Sequence, residues 1–448
     1  MRFNHRFFAG LFDKENVIRF DSDLKNFWIY QPSNGLFQQT PSTVLIEAVS
    51  ERLLTISREI KCLGLVKNIK IALVNEALKS LEGILQKEYP QFQKLANIIH
   101  CKNGVIKFVE NDLRFTRFSP LFLSRNQISI VFDTKAHCPR FLEFLKQSMD
   151  SEDIDLFQKY FGMTLLGHNF AQRLLILYGI GGAGKTTLVK IVQGIIDPIN
   201  CCELRTQHLG KQFESFRYRG KILLTGADVP GDFLMAEGAP HLKAIIGGDP
   251  ISVEGKGLNE CFNIEGNFPL ILTCNSRLRI RLQEDEKAWK RRLLIIEFKN
   301  TAIEKKIPDF YKILISEEGS GILNWALQGL IKIQRDFKFD GDLKLSESQL
   351  KRVDSLLAES DSLMRFLIEC VEKDESSTLT KKEIFEKYGE YCADQCWNPL
   401  PTAVYQKQLI DLMLQHFHVS ESCSIKREEG NQRGFRKVKF KTQEVSND

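Results

Sequence analysis

One stretch of the chain, residues 174–187, restricts the fold most because it joins three different local patterns. It opens with the apolar run Leu174–Tyr178, which is typical of a strand buried on both faces of a sheet. Residues 179–186 then read Gly-Ile-Gly-Gly-Ala-Gly-Lys-Thr, and the glycines allow the backbone to turn its N–H groups inward. After Lys185 the apolar residues recur with helical spacing, at Leu188, Ile191, Val192, Ile195 and Ile196. Strand, glycine loop and helix in this order predict a phosphate-binding loop.

We call residues 179–187 the phosphate loop. The N-terminus of the predicted helix faces the anion, Lys185 reaches the β- and γ-phosphates, and Thr186 offers a hydroxyl to Mg²⁺. The alternative, a glycine-rich turn with a chance lysine, gives no reason for the flanking strand and helix. The pattern therefore predicts that ATP and Mg²⁺ are cofactors. The predicted ATP-binding residues are Gly179, Ile180, Gly181, Gly182, Ala183, Gly184, Lys185, Thr186 and Thr187.

Two later apolar runs end in polar side chains. Residues 221–225 precede Asp228, about forty residues beyond the phosphate loop, and residues 268–274 precede Asn275. A carboxylate at such a strand end holds Mg²⁺ or orients water, so Thr186 and Asp228 are the predicted metal ligands. Asn275 is placed to bind the attacking water. The alternatives are a turn or helix-cap role for the aspartate and a strand-end cap for the asparagine.

Further candidates lie between and after these strands. Residues 247–250 read Gly-Gly-Asp-Pro, and residues 251–253 and 261–264 are expected to pair as a hairpin, with Lys256 between two glycines near its tip. Lys256 and Lys243 are candidate DNA contacts, although a solvated turn lysine fits the pattern of Lys256 too. Arg291 and Arg292 precede the next apolar strand. One of them is expected to stabilise transition-state charge on a neighbouring subunit's nucleotide, the alternative being a solvated surface pair.

The C-terminal part has the pattern of a winged helix. Helices are predicted over residues 360–372, 381–392 and 402–415, followed by strands over residues 419–426 and 434–440. The hairpin is strongly basic, and Arg433, Arg436 and Lys437 are the predicted DNA contacts. A solvated basic tail or a wing used for protein contact remains the alternative.

The chain has 448 residues, enough for about three domains. We predict an α/β fold with a mixed N-terminal domain over residues 1–149. A central parallel-sheet ATPase with C-terminal helices is predicted over residues 150–335, and the winged helix over residues 350–448. Residues 337–347 are polar and are predicted to form a linker.

Bulk composition restricts the cellular context. A net charge of +5 permits nucleic-acid binding without requiring it. The eleven cysteines lack paired ligand spacing, which argues against a zinc site and favours reduced thiols in the cytoplasm. No apolar run reaches the ~18 residues of a membrane span, and the N-terminus lacks a signal-peptide pattern.

Taken in order, these motifs resemble the helicase half of the phage and plasmid primase–helicase family, a branch of the superfamily 3 DNA helicases with an AAA+-like ATPase. The resemblance runs through most of the chain. The matching elements are the Phe-Trp-Ile-Tyr run from residue 27, the Asn103-Gly104 element, the phosphate loop, residues 220–228, residues 243–250, residues 271–275, the arginine pair, residues 321–326 and the terminal winged helix. Asp228 stands where the family usually has glutamate. Glu254 lies where a basic residue is usual, and residues 1–145 show no paired carboxylates of a primase.

The resemblance implies a DNA helicase that hydrolyses ATP during replication of a phage, plasmid or other mobile element. It implies a homo-hexameric ring that moves 3′ to 5′ on one strand and binds single-stranded and forked DNA. Because residues 1–145 show no paired carboxylates, primer synthesis by this chain is not expected, and a separate primase is a candidate partner. ATP then lies between subunits, with Lys185, Thr186, Asp228 and Asn275 on one side and Arg291 or Arg292 on the other. Two alternatives remain: a DNA-bound ATPase that initiates replication or loads a helicase, and a small-molecule kinase with the same loop.

Overall fold

The computed structural model describes residues 4–62, 64, 70–88, 95–109, 112–235, 238–255, 261–280, 286–299, 307–428 and 430–441. The chain divides into two compact units. The first unit consists of Met1–Val229, Pro240–Asn275 and Ile296–Leu345. The second unit consists of Pro230–Ala239, Ser276–Ile295 and Ser346–Asp448. Two short segments from the predicted ATPase range therefore belong to the same unit as the C-terminal part.

The N-terminal part of the first unit is mixed α/β, as predicted. Its helices are α1 (His5–Glu15), α2 (Ser42–Glu59) and α3 (Ile71–Glu88). Strands β1 (Ile18–Asp21), β2 (Asn26–Gln31) and β3 (Leu36–Thr40) form one antiparallel sheet, and β4 (Ile98–Cys101), β5 (Gly104–Val109) and β6 (Asp112–Thr116) form another. In α2, Leu45, Val49 and Leu53 are buried four residues apart, which gives the helix one apolar face.

A five-stranded sheet lies mainly in the first unit. Its strands are β7 (Leu174–Tyr178), β8 (Cys201–Glu203), β9 (Leu223–Gly226), β12 (Leu270–Cys274) and β13 (Leu293–Glu297), in the order β13-β7-β12-β9-β8. Strand β13 begins in the last residues of Ser276–Ile295, a segment of the second unit. The pairings of β7 with β12, β12 with β9 and β9 with β8 are parallel. Every residue of β12 is buried, which explains why its sequence is apolar except for Thr273. This sheet confirms the predicted α/β fold class.

Four helices of the first unit pack beside this sheet or on one another. They are α4 (Pro139–Ser148), α5 (Ser151–Thr164), α6 (Lys185–Ile196) and α9 (Phe310–Asp340). Helix α6 contacts β9 and β12 directly. The five apolar residues that predicted α6 are all buried. Helix α6 packs closely on α9, because a Cβ atom on Gly194 would lie 2.0 Å from Cδ1 of Ile315. A side chain at position 194 would therefore require the side chain of Ile315 to move.

The hairpin predicted after the Gly-Gly-Asp-Pro element is present. Helix α7 (Ala239–Gly247) leads into β10 (Asp249–Val253), which pairs antiparallel with β11 (Phe262–Gly266). Ile251 lies opposite Ile264, in agreement with the predicted pairing. Lys256, the predicted tip residue, lies outside the described residues.

The second unit contains the predicted C-terminal helices and hairpin, with one strand that was not predicted. Its helices are α8 (Glu286–Lys290), α10 (Glu347–Ser360), α11 (Ser362–Cys370), α12 (Lys381–Asp394) and α13 (Thr402–Leu412). Strands β14 (Val371–Thr380), β15 (Glu421–Arg427) and β16 (Gly430–Phe440) form an antiparallel sheet in the order β14-β16-β15. Strand β14 was missed because it is mostly charged and polar, with little of the apolar alternation that indicates a strand.

The predicted linker is partly wrong. Helix α9 continues through Asp340 and ends at Gly341, whose φ of +71° suits glycine at a helix C-terminus. Residues 337–340 are therefore helical, and only a short segment separates α9 from α10. Among the described helices, none is both long and apolar enough to cross a membrane.

Candidate nucleotide-binding site

The phosphate loop joins the carboxyl end of β7 to the first turn of α6. Gly182 and Gly184 have φ values of +84° and +99°, a region that L side chains rarely adopt, so the loop conformation requires glycine there. A Cβ atom at Gly181 or Gly182 would meet nothing within 4 Å, so the backbone at both positions faces open space. A polar ligand can therefore approach the loop backbone closely at the helix N-terminus, where backbone N–H groups lack helical partners.

The side chain of Lys185 lies in the centre of the loop and is only 4% exposed. Its Nζ donates hydrogen bonds to the carbonyl oxygens of Gly179 (2.7 Å) and Ile180 (2.8 Å) and to Oδ1 of Asn275 (2.8 Å). Burial lowers the pKa of Lys185, and the charges of Asp228 and Cys274 oppose that shift. The ammonium group is therefore held by neutral dipoles beside the space that the loop encloses.

Asp228 and Asn275 meet at the carboxyl ends of two neighbouring strands, β9 and β12. Nδ2 of Asn275 donates to Oδ1 of Asp228 at 3.2 Å, so Lys185, Asn275 and Asp228 form one hydrogen-bonded chain. The backbone N–H of Asp228 donates to Oγ1 of Thr273 (2.9 Å), which fixes the turn after β9 against β12. Asp228 itself has a φ of +44°, a strained conformation that costs about 1 kcal/mol or more. The structure thus brings together three of the predicted catalytic residues.

A cleft of about 560 Å³ opens beside this chain, within the range of about 300–1,000 Å³ that is usual for small-molecule sites. Thr186 and Asp228 both line it, and they offer the hydroxyl and carboxylate oxygens that Mg²⁺ prefers. Within the described part of the chain, no cluster of three or more His, Cys, Asp or Glu side chains could hold a metal ion by itself. A magnesium ion at Thr186 and Asp228 would therefore take its remaining ligands from nucleotide phosphates and water.

Sequence reasoning missed the far wall of this cleft. Arg140, Glu143, Phe144 and Gln147 of α4 line it, together with Ile307 and Phe310 at the start of α9. The amphipathic spacing in α4 predicted a helix, but its solvent-facing polar residues looked like any exposed helix surface. No motif marks these residues, because they reach the cleft only through the packing of α4 and α9.

The two candidate arginines belong to the second unit and differ in solvent exposure and in hydrogen bonding. Arg291 is exposed, whereas Arg292 is 6% exposed and donates through Nη1 to the carbonyl oxygen of Ala288 at 3.0 Å. Arg292 therefore stabilises the end of α8, and the exposed guanidinium of Arg291 is accessible to another molecule. Their predicted action on a neighbouring subunit stays a prediction.

Lys243 and Lys256, the candidate DNA contacts in and after α7, are only partly described. Lys243 is half-buried in α7, and Lys256 is outside the described residues. DNA contact by either lysine therefore stays a prediction.

The basic strands of the second unit are largely paired with acidic residues of the same unit. Lys437 pairs with Glu375 at 2.6 Å, and Lys439 pairs with Asp374 at 3.1 Å. Arg436 donates through Nη2 to the carbonyl oxygen and Oγ of Ser424, each at 3.1 Å. For Arg433, which is exposed, the described residues provide no ion pair. Of the three predicted wing contacts, only the two arginines are without a carboxylate partner among those residues.

A comparison with known protein families matches the part of the chain that contains the nucleotide-site residues. Residues 177–292 match the model of a family described as a "family of unknown function (DUF5906)". That range contains the phosphate loop, Asp228, Asn275 and both arginines. No curated protein matches the sequence.

Solved structures of the C-terminal region of NrS-1 are similar over nearly the whole chain. An apo structure of that region has a TM-score of 0.49 and 13% sequence identity, and the match covers 97% of this chain and 99% of the other. An A-form apo structure has a TM-score of 0.45 and 13% identity, with 96% and 98% covered.

Proposed function

We propose that the protein is an ATP-driven DNA helicase that acts in the replication of a phage, plasmid or other mobile element. The observation that supports ATP hydrolysis most directly is the hydrogen-bonded chain of Lys185, Asn275 and Asp228 beside an open phosphate loop. A cation, an amide and a carboxylate at the ends of adjacent parallel strands are the groups that phosphoryl transfer to water requires.

Each group has a separate role in this proposal. Lys185 exchanges its three bonds, to two loop carbonyls and to Oδ1 of Asn275, for bonds to the β- and γ-phosphates. The freed oxygen of Asn275 can then orient the attacking water. Asp228 accepts a hydrogen bond from Asn275 and keeps that amide pointing toward the cleft. Thr186 and Asp228 would hold Mg²⁺, and that ion would supply positive charge beside the phosphates.

The helicase assignment rests on the resemblance and on the order of elements along the chain. The hairpin of β10 and β11 follows the Gly-Gly-Asp-Pro element and leads directly into β12, the strand that ends at Asn275. A change at the nucleotide can therefore move the hairpin through a short covalent connection. In the proposed homo-hexameric ring, the hairpin faces single-stranded DNA, and an arginine from the adjacent subunit completes the site.

Two measurements on the full chain test this proposal. ATP hydrolysis is measured with and without single-stranded DNA, together with the particle mass in the presence of ATP. Strand displacement is then measured on a forked duplex. We expect DNA-stimulated hydrolysis, a mass near six chains and displacement that requires hydrolysable ATP.

The alternative functions give different results in the same assays. DNA-stimulated hydrolysis without strand displacement would identify an initiator or loader. Hydrolysis that ignores DNA and requires a metabolite would identify a small-molecule kinase. Absence of ATP hydrolysis under every condition would contradict the nucleotide site itself.

A further inference from the structure

We propose that helix α4 reads the base of the bound nucleotide, and that Gln147, oriented by Glu143, selects adenine over guanine. This inference rests on the proposed nucleotide site and assigns its base-binding end. The residues involved lie before the phosphate loop and outside the range that the family model matches.

Hydrogen bonds fix helix α4 at both ends. A helix that distinguishes one base from another must be held in position in this way. At its N-terminus, the buried carboxylate of Glu318 accepts hydrogen bonds from the backbone N–H groups of Arg140 and Phe141, each at 3.0 Å. At its C-terminus, the carbonyl oxygen of Ser148 accepts from the N–H of Lys299 at 2.8 Å. Phe298, the preceding residue, lies against Gly179, the first residue of the phosphate loop. The residue before Ser148 is therefore held close to the loop.

The cleft has one polar end and one apolar wall. The phosphate loop and Lys185 provide the polar end, which suits the triphosphate. Phe144, Phe310 and Ile307 provide the apolar wall, in which the rings of Phe144 and Phe310 lie 5.9 Å apart. Ile307 is 50% exposed, so a flat aromatic base would cover apolar surface that faces water in this structure. The base of a bound nucleotide therefore belongs at the α4 end of the cleft.

Arg140, Glu143 and Gln147 are the polar side chains of α4 that line the cleft, and the last two bond to each other. Nε2 of Gln147 donates to Oε1 of Glu143 at 3.0 Å. A carboxylate only accepts hydrogen bonds, so Glu143 fixes the orientation of the Gln147 amide. One amide hydrogen points to Glu143, while Oε1 and the second amide hydrogen form the free edge. That edge presents one acceptor beside one donor.

This edge is complementary to adenine. Its acceptor takes a hydrogen bond from the 6-amino group, and its donor reaches N1. Guanine presents a carbonyl oxygen and an N1–H at these positions, which is the reverse pattern. To match guanine, the Gln147 amide must flip, and its oxygen would then face the carboxylate of Glu143. The pair therefore disfavours guanine by a repulsive contact as well as by lost hydrogen bonds.

The test is calorimetric titration of the full chain with ATP, GTP and inorganic tripolyphosphate, each with magnesium present. We expect the parent protein to bind ATP about tenfold more tightly than GTP, the size of one or two mismatched hydrogen bonds. Glu143→Gln frees the amide to flip, and Gln147→Leu removes the reading edge, so both variants lose that preference. Lys146→Gln is the matched control, because Lys146 is exposed on the same helix and does not line the cleft.

Tripolyphosphate separates this inference from the proposed nucleotide site. Its affinity should be unchanged in all three α4 variants and lost in Lys185→Ala. Equal affinity of the parent for ATP and GTP would overturn base reading and leave the nucleotide site intact, and so would a full preference retained by Glu143→Gln and Gln147→Leu. A parent protein that binds neither tripolyphosphate nor ATP would overturn both proposals.

Discussion

The phosphate loop and the C-terminal sheet hold their cations in opposite ways. In the loop, Lys185 bonds to two carbonyl oxygens and an amide, and the described residues form no ion pair with it. In the sheet, Lys437 and Lys439 each pair with a carboxylate from β14. A cation held by neutral dipoles can exchange them for an incoming phosphate, whereas a paired cation must first lose its carboxylate. Location on a basic strand is therefore a weaker indication of anion binding than the identity of the partners.

The largest expected effect is at Lys185. Lys185→Ala should lower ATP hydrolysis by at least about 100-fold, because it removes the charge that stabilises the transferring phosphate. The measurement is steady-state ATPase rate, with melting temperature to show that the fold survives. Lys190→Ala is the control, since Lys190 is an exposed cation of the same helix whose Nζ lies over the ring of Tyr311. Near-parental hydrolysis by Lys185→Ala would refute the phosphate-loop assignment.

The arginine pair should separate into a catalytic and a structural member. Arg291→Ala should abolish turnover without loss of ATP binding, because an exposed guanidinium is suited to act on the neighbouring subunit's phosphate. Arg292→Ala should instead lower the melting temperature, because it removes a partly buried hydrogen bond at the end of α8. Turnover and nucleotide binding are measured on both variants.

A mixing experiment tests whether the site is shared. Subunits with Lys185→Ala and subunits with Arg291→Ala are each inactive, but some mixed interfaces contain both intact halves. We expect partial recovery of hydrolysis at intermediate ratios. If subunits exchange and no ratio restores activity, the site lies within one chain.

A smaller effect is expected in the C-terminal sheet. Glu375→Gln removes the carboxylate partner of Lys437, so DNA binding should strengthen by a few-fold at low salt, with about one additional counterion released. Affinity for a single-stranded oligonucleotide is measured across a salt series. The complementary triple variant of Arg433, Arg436 and Lys437 should weaken binding, and the arginines should account for most of the loss. An unchanged salt slope in both proteins would show that this sheet does not contact DNA.

The sequence predicted the nucleotide cleft in detail because its chemistry is local. Strand β7 has the predicted bounds, and Asp228 and Asn275 were placed at strand ends from apolar runs alone. Parallel strands bring such ends to one edge, so the sheet assembled them as expected. The far wall could not be predicted, since Gln147 and Ile307 are distant in sequence and carry no motif.

The C-terminal unit was harder to predict for a related reason. The helices and the hairpin follow from periodicity, but β14 has a polar sequence and pairs with β16 across a register shift between Lys373 and Thr378. The carboxylates of β14, which the sequence did not predict to be a strand, are the partners of Lys437 and Lys439. Counting basic residues along β16 therefore overestimated the positive charge that the sheet presents.

The smallest expected effect concerns Asp361 in the second unit, whose carboxyl group is partly buried and, among the described residues, is not paired with a lysine as the carboxylates of β14 are. Burial raises the pKa of Asp361 to about 6 from 3.8, the charge of Glu286 adds to the shift, and Arg365 and His416 oppose it. The folded state therefore binds this proton more tightly than the unfolded state. The resulting stability is fully present below the unfolded pKa and is lost as the pH rises through the folded pKa.

Asp361→Asn should remove that loss, because asparagine does not titrate and is an equally good residue at the start of a helix such as α11. The shift amounts to about two pKa units, and partial exposure reduces its energetic effect, so we expect a gain of about 1 kcal/mol in the free energy of unfolding near pH 7.5. The gain should shrink toward zero near pH 4, where the native carboxyl is protonated. Denaturant unfolding at both pH values measures it, with Asp411→Asn, an exposed aspartate of α13, as the control. If Asp361→Asn changes the free energy of unfolding equally at both pH values, the substitution acts through packing. The ionised form of Asp361 would then be no more destabilised by the fold than the paired carboxylates of β14.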